Sequence, residues 1–242
     1  MDGVVFQGGN FWLDLHNALG TAEEGVALAH QHLSSDYGEL ARQVVGRLWR
    51  GKPARAYLDL VQRRKYQPHL RELHGLLKRN GLTTLIVSSG PLPLALRAQR
   101  ELGFDRVLAN DLLIERGVFT GEADIRVPDA HKLEAASDLL AELGLVFEQC
   151  VSIGDSRNDA AIARRVAHSF AFNTEAQELL ASASEHVPTL RRVGVRLIEL
   201  GICSPDGKQA KPSRAGGLAL RAGTLARGVF GDEAARARIA RA

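Results

Sequence analysis

The ten residues SIGDSRNDAA, Ser152 to Ala161, decide how this chain is read. The apolar run CVSI (150–153) leads into Gly154, and a helix is predicted from about Asn158. A strand that turns through glycine into a helix is a unit of an open α/β sheet, and such sheets bind ligands beyond the C-terminal ends of their strands. Asp155 and Asp159 stand in this turn, four residues apart. Two hard oxygen donors held this way suit Mg²⁺, which keeps several waters and takes few protein carboxylates. A helix-capping Asp beside a surface Asp is the other reading of the same spacing.

Two more strand ends carry chemistry. LTTLIVS (82–88) is a buried-strand pattern that ends at Ser88 and runs into Ser89-Gly90. A hydroxyl followed by backbone N–H groups suits phosphate oxygens, although a serine that merely starts a turn fits too. Lys132 falls in the first turn of a helix predicted from near Asp129, where a cation opposes the helix dipole. That small cost points to an anionic ligand; a solvated surface lysine is the alternative.

The surrounding pattern alternates. A helix is predicted at 91–102, a short strand at RVLAN (106–110), and a hairpin in LLIERGVFTGEADI (112–125) turning at Arg116-Gly117. The strand SFAF (169–172) and helices near 175–183 and 189–200 follow. Strands alternating with helices predict a Rossmann-like α/β fold, a parallel sheet with helices on both faces. Residues 11–80 read as helices: Phe11, Leu15 and Leu19 recur at helical spacing, as do Leu40, Val44 and Leu48. Thr21 and Glu24 form a capping-box signature, and PHLRELHGLLKRNG (68–81) is an amphipathic helix stopped by Gly81. At the front, MDGVVF is an Asp-Gly turn followed by a β-like apolar triplet.

The chain has 242 residues, 45% hydrophobic and 24% charged, enough for one good core with an inserted lobe. No apolar run is long enough to span a membrane, and the first residues lack the pattern of a secretion leader. Cys150 and Cys203 fit no disulfide or metal framework, so a reducing, cytoplasmic setting is expected. Arg191–Ala242 holds eleven Lys and Arg against four Asp and Glu, so the net charge of +3 belongs to the tail. With few aromatics and diffuse charge, that tail is expected to be a helical or disordered extension, with neither nucleic acid nor membrane as partner.

Taken in order, these features resemble the haloacid dehalogenase-like superfamily, on its phosphoserine-phosphatase-like branch. The family's Asp-x-Asp-Gly motif is matched from its spacer onward by Met1-Asp2-Gly3, its Ser/Thr-ended strand by LIVSSG, its helix-start lysine by Lys132, and Gly-Asp-Ser-x-x-Asp by Gly154–Asp159. The link ELGFDRVLANDLLIERGVFTG (101–121) and AFN (171–173) also resemble this branch, and the likeness covers about residues 1–190. It implies a core of residues 1–10 and 76–200, a helical cap of residues 11–75 over the substrate, and the tail 201–242. It implies Mg²⁺-dependent hydrolysis of a phosphomonoester of a small metabolite, phosphoserine first, through an aspartyl-phosphate. Asp2 would be the acid/base and its carbonyl a metal ligand. Ser88, Ser89, Gly90 and Lys132 would bind phosphate, and Asp155 with Asp159 would stand on the metal side.

The family's attacking Asp would fall one position ahead of Met1. The expectation is a displaced start, the methionine of an Asp-Met-Asp-Gly motif being taken as the initiator. The alternative is a non-catalytic phospholigand-binding or regulatory protein that keeps the cradle. GRLWRGKP (46–53) imitates a nucleotide-binding loop, but Pro53 replaces the required Ser/Thr and no strand precedes it. His30 and His32 diverge on a helix. Arg47, Arg50 and Arg55 fit either a substrate anion or solvent, and Phe11 and Trp12 fit either pocket or core.

Overall fold

The computed structural model describes residues 1–207; residues 208–242, most of the expected tail, lie outside it. The chain begins with a tight turn. Val5 N and Phe6 N both donate to the Met1 carbonyl, and Asp2 and Phe6 form only an isolated bridge. The β-like triplet is therefore a turn, which Gly3 permits at φ 76°.

Four helices follow: α1 (Phe11–Leu19), α2 (Ala22–His32), α3 (Tyr37–Ala41), which runs into a π-helical segment (Arg42–Trp49), and α4 (Arg55–Arg63). Asn10 caps α1 by accepting from Trp12 N and Leu13 N. The capping box expected at Thr21 does not form. Its hydroxyl is spent on the buried His16 ring, 2.8 Å away, and on the Trp49 indole N–H, 3.1 Å away, leaving α2 without a side-chain cap. Tertiary partners have overridden the local signal.

Helix α5 (Leu70–Arg79) packs against α10 (Leu190–Glu199). It is one continuous element across residue 75, where the resemblance would set the boundary between cap and core. Gly81 follows it at φ 70°.

Strand β1 (Leu85–Pro91) leads directly into α6 (Leu92–Leu102) and pairs in parallel with β2 (Arg106–Glu115). Strand β2 joins two expected pieces, RVLAN and the first arm of the hairpin, into one ten-residue element. Its first half serves β1 and its second half pairs antiparallel with β3 (Val118–Asp124). The hairpin turns at Arg116 (φ 51°) and Gly117 (φ 76°), the two positive angles that a tight type I′ turn requires.

After α7 (Lys132–Glu142), the parallel strands β4 (Val151–Gly154), β5 (His168–Phe172) and β6 (Glu185–Val187) form a second sheet, with α8 (Ala160–Ala163) and α9 (Gln177–Leu180) in the connections. The result is α/β, parallel strands flanked by helices. The short β6 carries only one β-branched residue, Val187, and leaves no clear strand pattern in the sequence. Helices α7 and α8 contact β1 and β4 respectively.

The main core is continuous from the helices at the front into the sheets, with Phe6, Phe11, Leu15, Trp49, Tyr57 and Phe119 all buried. Arg97, buried on α6, closes the end of α4 by donating to the Val61, Gln62 and Arg64 carbonyls. Cys203 is buried, and Ser204 N donates to the Asn80 side chain at 2.8 Å, so the packed body continues past residue 200. Among the described residues no helix is long and apolar enough to cross a membrane.

Candidate active site

Met1–Gly3 lies between the C-terminal ends of β1 and β4. A Cβ built on Gly90, at the end of β1, would stand 3.0 Å from Met1 Cε, 3.2 Å from Ser88 Oγ and 3.7 Å from Asp2 Oδ2. A Cβ on Gly3 would stand 1.8 Å from Asp155 Oδ2, just past β4. Glycine at both positions thus lets Asp2, Ser88 and Asp155 crowd into one hollow.

Each side chain has a definite partner or a definite lack of one. Asp2 Oδ2 accepts from Phe11 N at 3.1 Å, while Oδ1 is buried without a partner. Ser88 is buried at 5% exposure, and its Oγ accepts from Gly90 N at 3.0 Å, so that N–H is already used within the turn. The Ser89 carbonyl accepts from Trp12 Nε1 at 2.9 Å and from Asn110 Nδ2 at 3.1 Å; its hydroxyl is buried and unpartnered.

Lys132 opens α7, is buried at 6% exposure, and donates to Asp159 Oδ1 at 2.6 Å. The other Asp159 oxygen accepts from Asp155 N, Ser156 N and the Ser156 hydroxyl. Burial by itself would raise the Asp159 carboxyl, but Lys132 foremost, with the Met1 amino group and the Ser156 N–H, holds it below the ordinary range. Both oxygens of Asp159 are occupied by protein. Gly154 is needed beneath it, since a Cβ there would lie 2.4 Å from Asp159 Cβ.

Asp155 is different. Burial pushes its carboxyl up to about 6; the Met1 amino group and Lys132 draw it down, whereas Asp159 and Asp2 add to the rise. A desolvated carboxylate beside an orphaned Asp2 oxygen fits a divalent cation. Among the described residues no three His, Cys, Asp or Glu side chains are grouped to hold a metal unaided. Asp155 and one further oxygen could hold a cation that keeps most of its own waters, as Mg²⁺ does.

Sequence reading missed the supports. Asn110 is 1% exposed and uses its whole amide: Nδ2 donates to the Ser89 and Val127 carbonyls, and Oδ1 accepts from Arg126 N and Val127 N. Asn158 bridges Lys132 and Asp129. The cap arginines are not in the site. Arg47 faces Glu24, Arg55 is near Asp59, and Arg50 packs on Gly121. The nucleotide-loop imitation lies in the π-helical segment and the turn after it.

The sequence matches the family model described as haloacid dehalogenase-like hydrolase over residues 6–164. The chain belongs to that family. Within it, the likeness is to the phosphoserine-phosphatase branch. This haloacid dehalogenase-like chain is 29% identical over 174 residues to the phosphoserine phosphatase of Archaeoglobus fulgidus, covering 71% of itself and 50% of that protein. Against the phosphoserine phosphatase of Albidiferax ferrireducens it is 29% identical, over 67% of itself and 72% of the relative. Phosphoserine phosphatase SerB2 of Mycobacterium tuberculosis is 31% identical and is covered over 39% of its length. The match thus spans half or less of two of these three relatives.

Solved structures share the fold. A phosphoserine phosphatase in apo form superposes with a TM-score of 0.68 at 21% identity, over 79% of this chain and 93% of that one. A substrate-bound phosphoserine phosphatase complex gives 0.68 at 20% identity, over 83% and 94%.

Proposed function

We propose that this haloacid dehalogenase-like chain is built for Mg²⁺-dependent hydrolysis of phosphomonoesters of small molecules through an aspartyl-phosphate. The observation that carries the reading is the convergence of Asp2, Ser88 and Asp155 on one hollow, with Lys132 near enough to draw down the Asp155 carboxyl and Asp2 Oδ1 unpartnered. Ser88 Oγ and Lys132 Nζ would hold phosphoryl oxygens, and Asp159 and Asn158 keep Lys132 aimed. Asp155 and the Asp2 carbonyl would hold Mg²⁺, which when bound neutralises charge on the phosphoryl group.

The attacking group would be the carboxylate of an Asp placed directly ahead of Met1, on the same face as Asp2 in an extended chain. Its oxygen bonds to phosphorus as the ester P–O bond breaks, and Asp2 gives its proton to the leaving alkoxide. Asp2 then takes a proton from water, whose oxygen attacks the acyl phosphate and frees inorganic phosphate and the Asp. Among the described strands β1 and β4 each pair on one side only, which leaves edges that a strand leading into Met1 would satisfy. The two free cysteines suit a reducing, cytoplasmic setting.

A phospholigand-binding protein without turnover is the second reading. One experiment separates them. The chain is extended by an apolar strand ending in Asp, or by the same strand ending in Asn, and assayed with Mg²⁺ for phosphate release from p-nitrophenyl phosphate. The hydrolase reading expects turnover from the Asp form at least about a hundredfold above the Asn form; equal rates favour the binding protein.

A further inference from the structure

We propose, building on the phosphomonoesterase reading, that the leaving group of the substrate is an uncharged apolar alcohol seated in the cavity of the cap. That cavity measures about 300 Å³, within the size range of small-molecule sites. Its wall is formed by Trp12, Ala29, Leu40, Val44, Trp49 and Leu112, drawn from α1, α2, α3, the π-helical segment and β2. Leu13 and Val26, two of the large apolar side chains left exposed, also line it.

The cavity adjoins the phosphoryl hollow through hydrogen bonds from its wall. Trp12 and Asn110 belong to its lining, and both donate to the carbonyl of Ser89, the neighbour of Ser88. Asn10 belongs to it as well, one residue before the Phe11 N–H that binds Asp2. A phosphoryl group held at Ser88 would therefore stand one residue from the carbonyl that Trp12 and Asn110, two residues of the cavity wall, both bind.

The lining contains no Asp, Glu, Lys or Arg among the described residues. Most of its polar groups are already taken. The Asn110 amide is fully used and lies 3.4 Å from the Tyr37 hydroxyl, the Asn10 oxygen caps α1, and the His16 ring pairs with Thr21, where burial disfavours its charged form; His30 is the other histidine of the wall. An amino-acid headgroup would bring an ammonium into this space with no acidic side chain in the wall to meet it, and a carboxylate with only the histidines His16 and His30 there, which is unfavourable. An aliphatic chain meets carbon throughout.

The two cavity tryptophans are the only ones in the chain, so emission reports occupancy without turnover. The full chain in Mg²⁺ is titrated with ethyl, butyl, hexyl and octyl phosphate and with phosphoserine, following tryptophan emission and heat. The expected result is an emission shift and a Kd that tightens about tenfold for each two added carbons, with octyl phosphate displaced by inorganic phosphate. Ala29→Phe, which fills the cavity, is expected to abolish the length dependence. A Kd independent of length, or phosphoserine binding more tightly than butyl phosphate, overturns the apolar class and leaves the phosphomonoesterase reading standing. Octyl phosphate that inorganic phosphate cannot displace overturns both.

Discussion

Lys132 Nζ lies 2.6 Å from Asp159 Oδ1, with the two side chains only 7% and 14% exposed. The pair links the first residue of α7 to the loop after β4, and Asp159's second oxygen ties that loop's own N–H groups. One carboxylate thus shapes the turn and aims the lysine.

Removing one partner of a buried pair strands the other. Asp159→Ala is expected to cost about 3–5 kcal/mol in urea unfolding, and Asp159→Asn less, since the amide oxygen still accepts from the loop. Equal stability of Asp159→Ala and the parent would mean that the pair is solvated.

Gly3 is held at φ 76° against Asp155 Oδ2. Gly3→Ala is expected to push the Asp155 carboxylate aside and abolish the rise in Tm on adding Mg²⁺. Gly20→Ala serves as the control, because it shares the left-handed backbone and has open space around it. Its metal response should match that of the parent.

Asp155→Asn should move stability in opposite directions with and without metal. Its carboxyl is raised to about 6 by burial and by its acidic neighbours, so at pH 8 its charge destabilises the metal-free fold. The amide is expected to stabilise that form by on the order of 2 kcal/mol, and to remove all Mg²⁺-dependent stabilisation. Denaturation curves with EDTA and with Mg²⁺ give both signs.

Asp105 supplies a pH dependence away from the site. Burial would raise its carboxyl, but hydrogen bonds from Lys78 and Thr84 outweigh that and hold it below the ordinary 3.8. Its contribution is therefore fully present above that value and lost as the pH falls through the lower, folded one. The stability gap between parent and Asp105→Asn should be steady from pH 7 to 5 and close on acidification toward pH 3. The pair is partly exposed, so high salt should narrow the gap at pH 7.

The α/β class was legible because strand and helix patterns alternate, and Lys132 and Asp155 fall, as that pattern predicts, at a helix start and just past a strand end; Ser88, expected to end its strand, lies inside β1, which starts later and runs on to Pro91. Residues whose roles depend on distant partners were not. Thr21 reads as a helix cap and serves a buried histidine; Asn110 reads as a strand residue and holds four backbone groups. Val4–Phe6 reads as β-like, yet Val4 and Val5 fold into the turn and Phe6 makes only isolated bridges, since a lone apolar triplet carries no pairing partner in its own sequence. The cap cavity was illegible for the same reason, being assembled from apolar residues that each read as core.

The central claim is that this hollow binds a phosphoryl group and Mg²⁺ together. Calorimetric titration of the chain with inorganic phosphate, in Mg²⁺ and in EDTA, tests it most directly. The account predicts a Kd at least about tenfold tighter in Mg²⁺, with the gain lost in Asp155→Asn. Equal affinities in the two conditions would contradict it.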